Sequence, residues 1–348
     1  MNYDFNWPYA HGFSLSSGDI KQVNSDFKVE ESLPEVPSGE GEHLWVTIEK
    51  DGQNTAWVAR QLANWASVGQ RAVSYAGLKD RHALTEQTFS VHLPGKSSPA
   101  IDSLQIDGVR VVSSARHHRK LKTGQLIGNR FQIRVRNCSV NLDQIRQNWE
   151  RICQQGVPNY FGPQRFGHGG QNVKKAVDWL VAGAKVPRHN ESIYLSSVRS
   201  YLFNQLLASR VVDGSWAALI DNDFAQFSEG KAGFYCESPE QNDIDRCNAG
   251  QLSPSASLPG LSKDEFLSLD QRESKVLQDY SDILEALKVR KVMRHFRKLR
   301  VIPENPSFEN VATDPVFSFF LPAGSFATSV LREMFFFSST AEAKDWNE

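Results

Sequence analysis

The chain has 348 residues, 40% hydrophobic and 23% charged, with a formal net charge of -1 at pH 7, which describes an ordinary soluble globular chain with room for two domains. No run of about 18 apolar residues is present to span a bilayer, and Met1 to Trp7 lacks a basic-then-apolar leader pattern, so the expected address is the cytoplasm. Cys138, Cys153, Cys236 and Cys247 show no C-x-x-C spacing, so neither a zinc site nor a disulfide framework is indicated and no metal is expected.

Along the first part of the chain, β-type runs recur between Gly, Pro and Asp: Leu44–Ile48, Phe89–Leu93, Val109–Val112 and Phe131–Val135. Between the first two, Asn54 to Val68 reads as an amphipathic helix with Trp57, Val58, Leu62 and Trp65 on its apolar side. The mixture implies an α+β domain built on an antiparallel sheet. Within it lies Ser74-Tyr75-Ala76-Gly77-Leu78-Lys79-Asp80-Arg81-His82-Ala83-Leu84-Thr85-Glu86-Gln87. One carboxylate, Asp80, stands between a lysine and an arginine just after a glycine. Flanking cations favour a charged carboxylate, and glycine lets backbone or substrate approach closely. On spacing alone this is either a nucleophile or base that works ionised, or a surface turn in which Lys79 and Arg81 solvate Asp80.

Charge is unevenly spread. No acidic residue falls between Gly108 and Leu142, where Arg110, Arg116, Arg119, Lys120, Lys122, Arg130, Arg134 and Arg136 all lie, with His117 and His118 among them. This stretch is read as contacting phosphates. A second basic run, Lys288 to Arg300, is expected in a helix, with positions 290, 294, 297 and 298 on one face and either a solvated surface or a second RNA contact as its role.

From about Cys153 the texture turns helical. Val173, Ala176, Val177, Leu180 and Val181 follow helical spacing, Ser197 to Val212 continues it, Leu219 to Leu261 is β-like and loop-rich, and Lys263 to Arg300 reads as a long helical segment. Val316–Leu321 then looks like a buried strand too short to stand alone, so it must pack on something earlier. These features give a discontinuous domain, 1–154 and 303–348, with 155–302 inserted.

The run Ala76-Gly77-Leu78-Lys79-Asp80 with Thr85-Glu86-Gln87 resembles the active-site motif of the TruD family of tRNA pseudouridine synthases. Other segments resemble the same family in the same order: Asn24–Glu31, Gly128–Ile133, Pro158–Gly167 and Leu321–Ser329. The family's N-terminal segment opens on Pro-Glu, where this chain has Asn24 and Ser25. The resemblance implies a pseudouridine synthase catalytic domain with antiparallel sheet and helices, and an inserted, mainly helical α/β domain characteristic of the family. It implies that Asp80 is the catalytic aspartate, that Asn129 and Phe131 line the uridine pocket with Phe27 and Phe326, and that Lys21 is a cationic partner of Asp80. Lys79, Arg116, Arg119, Lys120 and Lys122 are then assigned to the RNA backbone, and Tyr160, Gln164 and Arg165 to a structural or hinge role.

The implied substrate is uridine 13 in the D arm of tRNA. The reaction breaks the N1–C1′ bond, turns the uracil and rejoins it through C5, using no external cofactor. Asp80 either attacks C1′ or acts as a base at C2′. Reaching a base inside folded RNA requires flipping it out and holding it by stacking and edge hydrogen bonds. A hydrolytic RNA glycosidase on the same scaffold would need a second carboxyl group, for which Glu86 is the nearby candidate, although a structural role suits it better. A non-catalytic RNA-binding protein is the other alternative. No protein partner is indicated, and a monomer is expected.

Overall fold

The computed structural model describes residues 3–139, 141–262 and 271–337. The chain divides into two compact units. One holds Leu15–Trp149, Pro303–Gly324 and the stretch from Phe335; the other holds the residues up to Ser14, Glu150–Ile302 and Ser325–Met334. This division differs from the sequence boundaries in three short stretches, up to residue 14, 150–154 and 325–334, and contacts of the first and last with the second unit account for those two. Phe5 and Trp7 lie against Phe166 and Tyr201, Trp7 stacks on Tyr160 at 5.8 Å, and Arg332 donates to the Trp7 carbonyl at 2.6 Å.

The first unit opens with β1 (Ser16–Gly18), β2 (Phe27–Ser32) and β3 (His43–Asp51), then α1 (Thr55–Trp65), β4 (Val73–Tyr75), β5 (Leu84–His92), β6 (Val109–His117) and β7 (Gly128–Arg134). Helix α1 begins where Asn54 caps it, its side chain accepting from the amides of Ala56 and Trp57. Its Val58, Leu62 and Ala63 are buried against Val46, Ile48, Phe89 and Val91 of the sheet. Helix α2 (Leu142–Gln155) follows.

In the second unit come β8 (Val157–Pro158), α3 (Gln171–Leu180), α4 (Arg188–Val212), β9 (Asp223–Phe227), β10 (Gly233–Cys236), α5 (Gln241–Asn248), β11 (Leu252–Leu258), α6 (Gln271–Val276), α7 (Ser281–Val289), β12 (His295–Lys298) and β13 (Arg300–Val301). Its core is a cluster of α3 and α4 side chains, including Val173, Ala176, Val198, Leu202 and Phe203, joined by Leu277, Ile283 and Leu287. A four-stranded antiparallel sheet runs β10-β9-β11-β12.

The long helix expected from Lys263 to Arg300 is not what forms. Residues 263–270 lie outside the described residues; beyond them α6 and α7 are short, Lys291 turns the chain at a φ of 56°, and the basic run continues as strands. The sheet register sets Phe296 opposite Ser257, and its ring stacks on Phe224 at 4.1 Å. That pairing and burial outweigh the local helical pattern.

The chain returns through β14 (Glu304–Val311) and β15 (Asp314–Pro322), then α8 (Ala327–Leu331) of the second unit and β16 (Phe335–Phe337) of the first. In the first unit the main sheet runs β14-β15-β7-β2-β5-β3-β6, with β4 also on β5. All its pairs are antiparallel except β2 with β5. The α+β class with an antiparallel sheet therefore holds, with one parallel pair inside it. Strand β15 contributes Phe317 and Phe319, both fully buried, and it does pack on an earlier element, β7.

Strand β5 changes partners along one edge. Its start pairs with β2 as far as Glu86 opposite Glu30, and its end pairs with β4 from Phe89 opposite Tyr75. Gln87 and Thr88 sit in the fork between those two partners. The loop from 76 to 83, which joins β4 to β5, carries Asp80.

Candidate active site

Buried side chains tie this loop to the fork at successive main-chain groups. Gln87, fully buried, donates through Nε2 to the Gly77 carbonyl and accepts from Thr55 Oγ1 at 3.0 Å. Thr55 Oγ1 in turn accepts from the Lys79 amide at 3.1 Å. Lys50 Nζ donates to the Asp80 carbonyl at 2.9 Å and to the Gln53 carbonyl at 2.8 Å. The Gly124 amide donates to the Ala76 carbonyl at 2.6 Å. The loop is therefore held along its length. Gly77 itself is not at positive φ, and a Cβ there would meet only the end of Lys79 at 3.8 Å, so the protein's own packing does not demand glycine at this position.

The Asp80 carboxylate is 31% exposed and accepts from Lys21 Nζ at 3.3 Å. Lys21 is 6% exposed, and its ammonium also lies 4.6 Å from the centre of the Phe27 ring. An opposite charge on one side and an aromatic face on the other fix the cation next to the carboxylate. Lys21 has a φ of 58°, a left-handed conformation that costs a non-glycine residue about 1–3 kcal/mol and that clusters at functional sites.

Three cross-strand rows share the sheet face on which Phe27 lies. Phe27, Ile133 and Phe317 form one, Val29, Phe131 and Phe319 the next, and Glu31, Asn129 and Leu321 the third. Phe131 touches Phe27 at 6.2 Å and Phe319 at 5.7 Å, and both Phe27 and Phe131 are buried, so they are walls rather than free-standing platforms. Asn129 Oδ1 is buried without a hydrogen-bond partner among the described residues, which leaves an acceptor available to a donor from outside the chain. Gly128 before it is required by packing: a Cβ there would fall 2.1 Å from the Leu321 carbonyl oxygen. Phe326 belongs to the second unit, where it starts α8 and packs 6.1 Å from the Phe161 ring.

Two of the five cations assigned to phosphate contact are engaged elsewhere. Lys79 is 5% exposed and forms a 2.7 Å ion pair with Glu31 in the fork, where Glu31 also accepts from the Thr88 amide. Arg116 spends its guanidinium on Ser98 Oγ and on the carbonyls of Gly41, Leu93 and Lys96, fastening the ends of β3 and β5. Neither cation stands free for a phosphate in this structure. Arg119, Lys120 and Lys122 are exposed and line an open depression with His118, Thr123, Gly124 and Gln125, with Arg119 paired to Glu35 at 2.6 Å.

The second basic run is also redirected. Arg294 pairs with Glu273 at 2.9 Å, and Arg297 bonds Asn159 Oδ1 at 2.6 Å while covering the Phe161 ring at 4.0 Å. Burial pushes the Arg297 guanidinium down to about 9. These cations hold the second unit together and present no common helical face. Tyr160 is buried, and Arg165 bonds Ser196 Oγ at 3.0 Å, both in structural settings.

Glu86 pairs in register with Glu30 and with Glu49. Side-chain alternation puts it on the face opposite Thr85, the strand partner of Lys50, and hence away from the Asp80 loop. Burial, then Glu30 and Glu49, raise its carboxyl above the usual range. Among the described residues no cluster of His, Cys, Asp and Glu has the geometry to hold a metal. Lys50 and Thr55 went unremarked in the sequence, and Gln87 was quoted in the motif without a role of its own. Gln87 closes the Asp80 motif and Glu31 closes the N-terminal one, so spacing carried a signal for those two; a lone lysine ending a strand looks solvated.

The fold is that of a solved protein. A crystal structure titled as a putative tRNA pseudouridine synthase D from Methanosarcina mazei matches with a TM-score of 0.70 over 96% of each chain at 21% identity. Sequence is more specific. The family model described as tRNA pseudouridine synthase D (TruD) matches residues 8–184 and 170–334. Curated proteins named tRNA pseudouridine synthase D are similar along nearly their whole length. That of Hydrogenovibrio crunogenus is 40% identical, covering 94% of this chain and 95% of that protein, and that of Aeromonas salmonicida 39%, covering 94% and 93%. The chain belongs to the TruD family.

Proposed function

We infer that this chain is a tRNA pseudouridine synthase, an isomerase that converts uridine to pseudouridine in tRNA, in line with the names of its curated relatives. The observation that carries the assignment of chemistry is the Asp80 carboxylate, partly exposed on a tied loop, with the Lys21 ammonium 3.3 Å away. An ionised carboxylate in that position serves either step open to the family: attack at C1′, or removal of the C2′ proton. In both, the N1–C1′ bond breaks, a C5–C1′ bond forms, and the C5 hydrogen leaves as a proton.

Supporting the pocket assignment, Asn129 Oδ1 supplies an unused acceptor for the uracil N3–H, and Phe27 and Phe131 supply apolar surface. Arg119, Lys120 and Lys122 serve the RNA backbone. The unit built around the main sheet is the catalytic domain, and the second unit, around residues 150–302, is the inserted one. A glycosidase reading is less well supported, since Glu86 lies on the other face of the sheet.

The position within tRNA is proposed from family resemblance as uridine 13 in the D arm, and the enzyme is proposed to work as a cytoplasmic monomer. The test is C5-tritium release from labelled tRNA transcripts. Transcripts with uridine 13 release tritium and those with cytidine there do not; equal release from both would overturn the position, and free uracil as the product would overturn the isomerase.

A further inference from the structure

Lys50 is fully buried near the end of β3, a place where an ammonium is expensive. Its strand partners are Thr85 on β5 and Val109 on β6, neither of which titrates. Its two acceptors are main-chain carbonyls, of Gln53 just before α1 and of Asp80 in the loop. The charged groups facing it are Asp80, whose charge favours the ammonium, and Lys79, which opposes it and is itself paired with Glu31. Burial dominates and pushes Lys50 down to about 8.

Nothing in the packing of the sheet calls for a cation here. Two carbonyl acceptors near a strand end are ordinarily satisfied by water or neutral donors. What a lysine adds is reach and charge. It bonds the main chain of Asp80 itself, where Gln87 and Thr55 stop at Gly77 and Lys79, and it places a second positive charge at the aspartate's carbonyl while Lys21 meets its carboxylate.

We propose that Lys50 is a positioning residue of the reaction, fixing the direction of the Asp80 Cα–Cβ bond and the field around its carboxylate through the Asp80 carbonyl. This rests on Asp80 being the catalytic carboxylate. Displacing a reacting group by about 1 Å costs on the order of 100-fold in rate, which sets the scale of the effect.

The test uses full-length Lys50→Met, Lys50→Gln and Asp80→Asn enzymes. Single-turnover tritium release from tRNA is followed from pH 6 to 9, together with tRNA binding and thermal melting. Lys50→Met is expected to lose about 100-fold in the single-turnover rate while tRNA affinity stays within about three-fold. The wild-type rate falls as pH rises through about 8, where the ammonium loses its proton, and that limb is missing from both Lys50 variants. A wild-type rate in Lys50→Met overturns the proposal, as does a loss of rate matched by equal losses of binding and melting temperature. Should Lys50→Met not fold, Lys50→Gln decides on the same readouts; should neither fold, a wild-type profile flat through pH 8 overturns it. Turnover by Asp80→Asn would instead sink the assignment of Asp80.

Discussion

Two stretches rich in Lys and Arg, 116–122 and 288–300, look alike in sequence and meet opposite fates. In the first, the tip Arg119, Lys120 and Lys122 is exposed around an open depression, while Arg116 at its base is used as a fastener. In the second, Arg294 and Arg297 are drawn into the interior of their unit, one against Glu273 and one against Phe161 and Asn159. Basic composition thus leaves cations at the surface only where no buried carboxylate, carbonyl or ring draws them inward. Lys79 obeys the same rule within the Asp80 loop: with Glu31 in reach it becomes an internal strut.

The comparison breaks hardest at the buried pairs. Glu273→Ala removes the carboxylate that pairs with Arg294 and accepts from the Ser257 amide and hydroxyl, so it is expected to cost the second unit about 3–5 kcal/mol in denaturant unfolding. Lys79→Met leaves Glu31 unpaired and is expected to destabilise the first unit on the same scale, about 3–5 kcal/mol, without changing the salt dependence of tRNA binding. A Lys79→Met protein that melts normally and binds tRNA with a shallower salt slope would return Lys79 to the RNA backbone.

A smaller effect, on binding alone, is expected at the exposed tip. Replacing Arg119, Lys120 and Lys122 together by Gln should weaken tRNA binding about ten-fold or more and flatten the log–log salt slope by about 2, with the melting temperature unchanged. The matching change at exposed Lys288, in the second stretch, should leave that slope as it was. A flattened slope there would show that the second run reaches RNA after all.

The smallest expected effect concerns Glu86. Its folded carboxyl sits above the usual range because of burial and of Glu30 and Glu49, so the ionised form is penalised in the native state. Wild-type stability is therefore lost as pH rises from the unfolded carboxyl value through the folded one. Glu86→Gln should gain roughly 0.5 kcal/mol at pH 7 and nothing at pH 4, measured by melting at both. Loss of activity in a stable Glu86→Gln enzyme would revive a two-carboxylate mechanism.

Much of the site was legible because it lies in short contiguous runs. Asp80 with its motif, and Gly128, Asn129 and Phe131, each occupy one loop or strand start, and Asn54 announced its helix by capping. Lys21 meets Asp80 across 59 residues of sequence, and only the family pattern linked them. What stayed hidden depends on the fork in the sheet, where β5 exchanges β2 for β4. That register brings Glu31 to Lys79, and Lys50 and Thr55 to the loop, none of which any local period encodes. The helical expectation failed over 291–300 for a related reason: a pattern of apolar and basic residues suits either element, and the strand partner β11 chose between them.

The central claim is that the Asp80 carboxylate performs the isomerisation. Its most direct test is C5-tritium release from labelled tRNA by Asp80→Asn, a change of one oxygen to nitrogen that keeps the side chain's size, measured beside tRNA affinity. The account predicts release at the level of the no-enzyme control with affinity within a few fold of wild type. Release at the wild-type rate by that variant would contradict it.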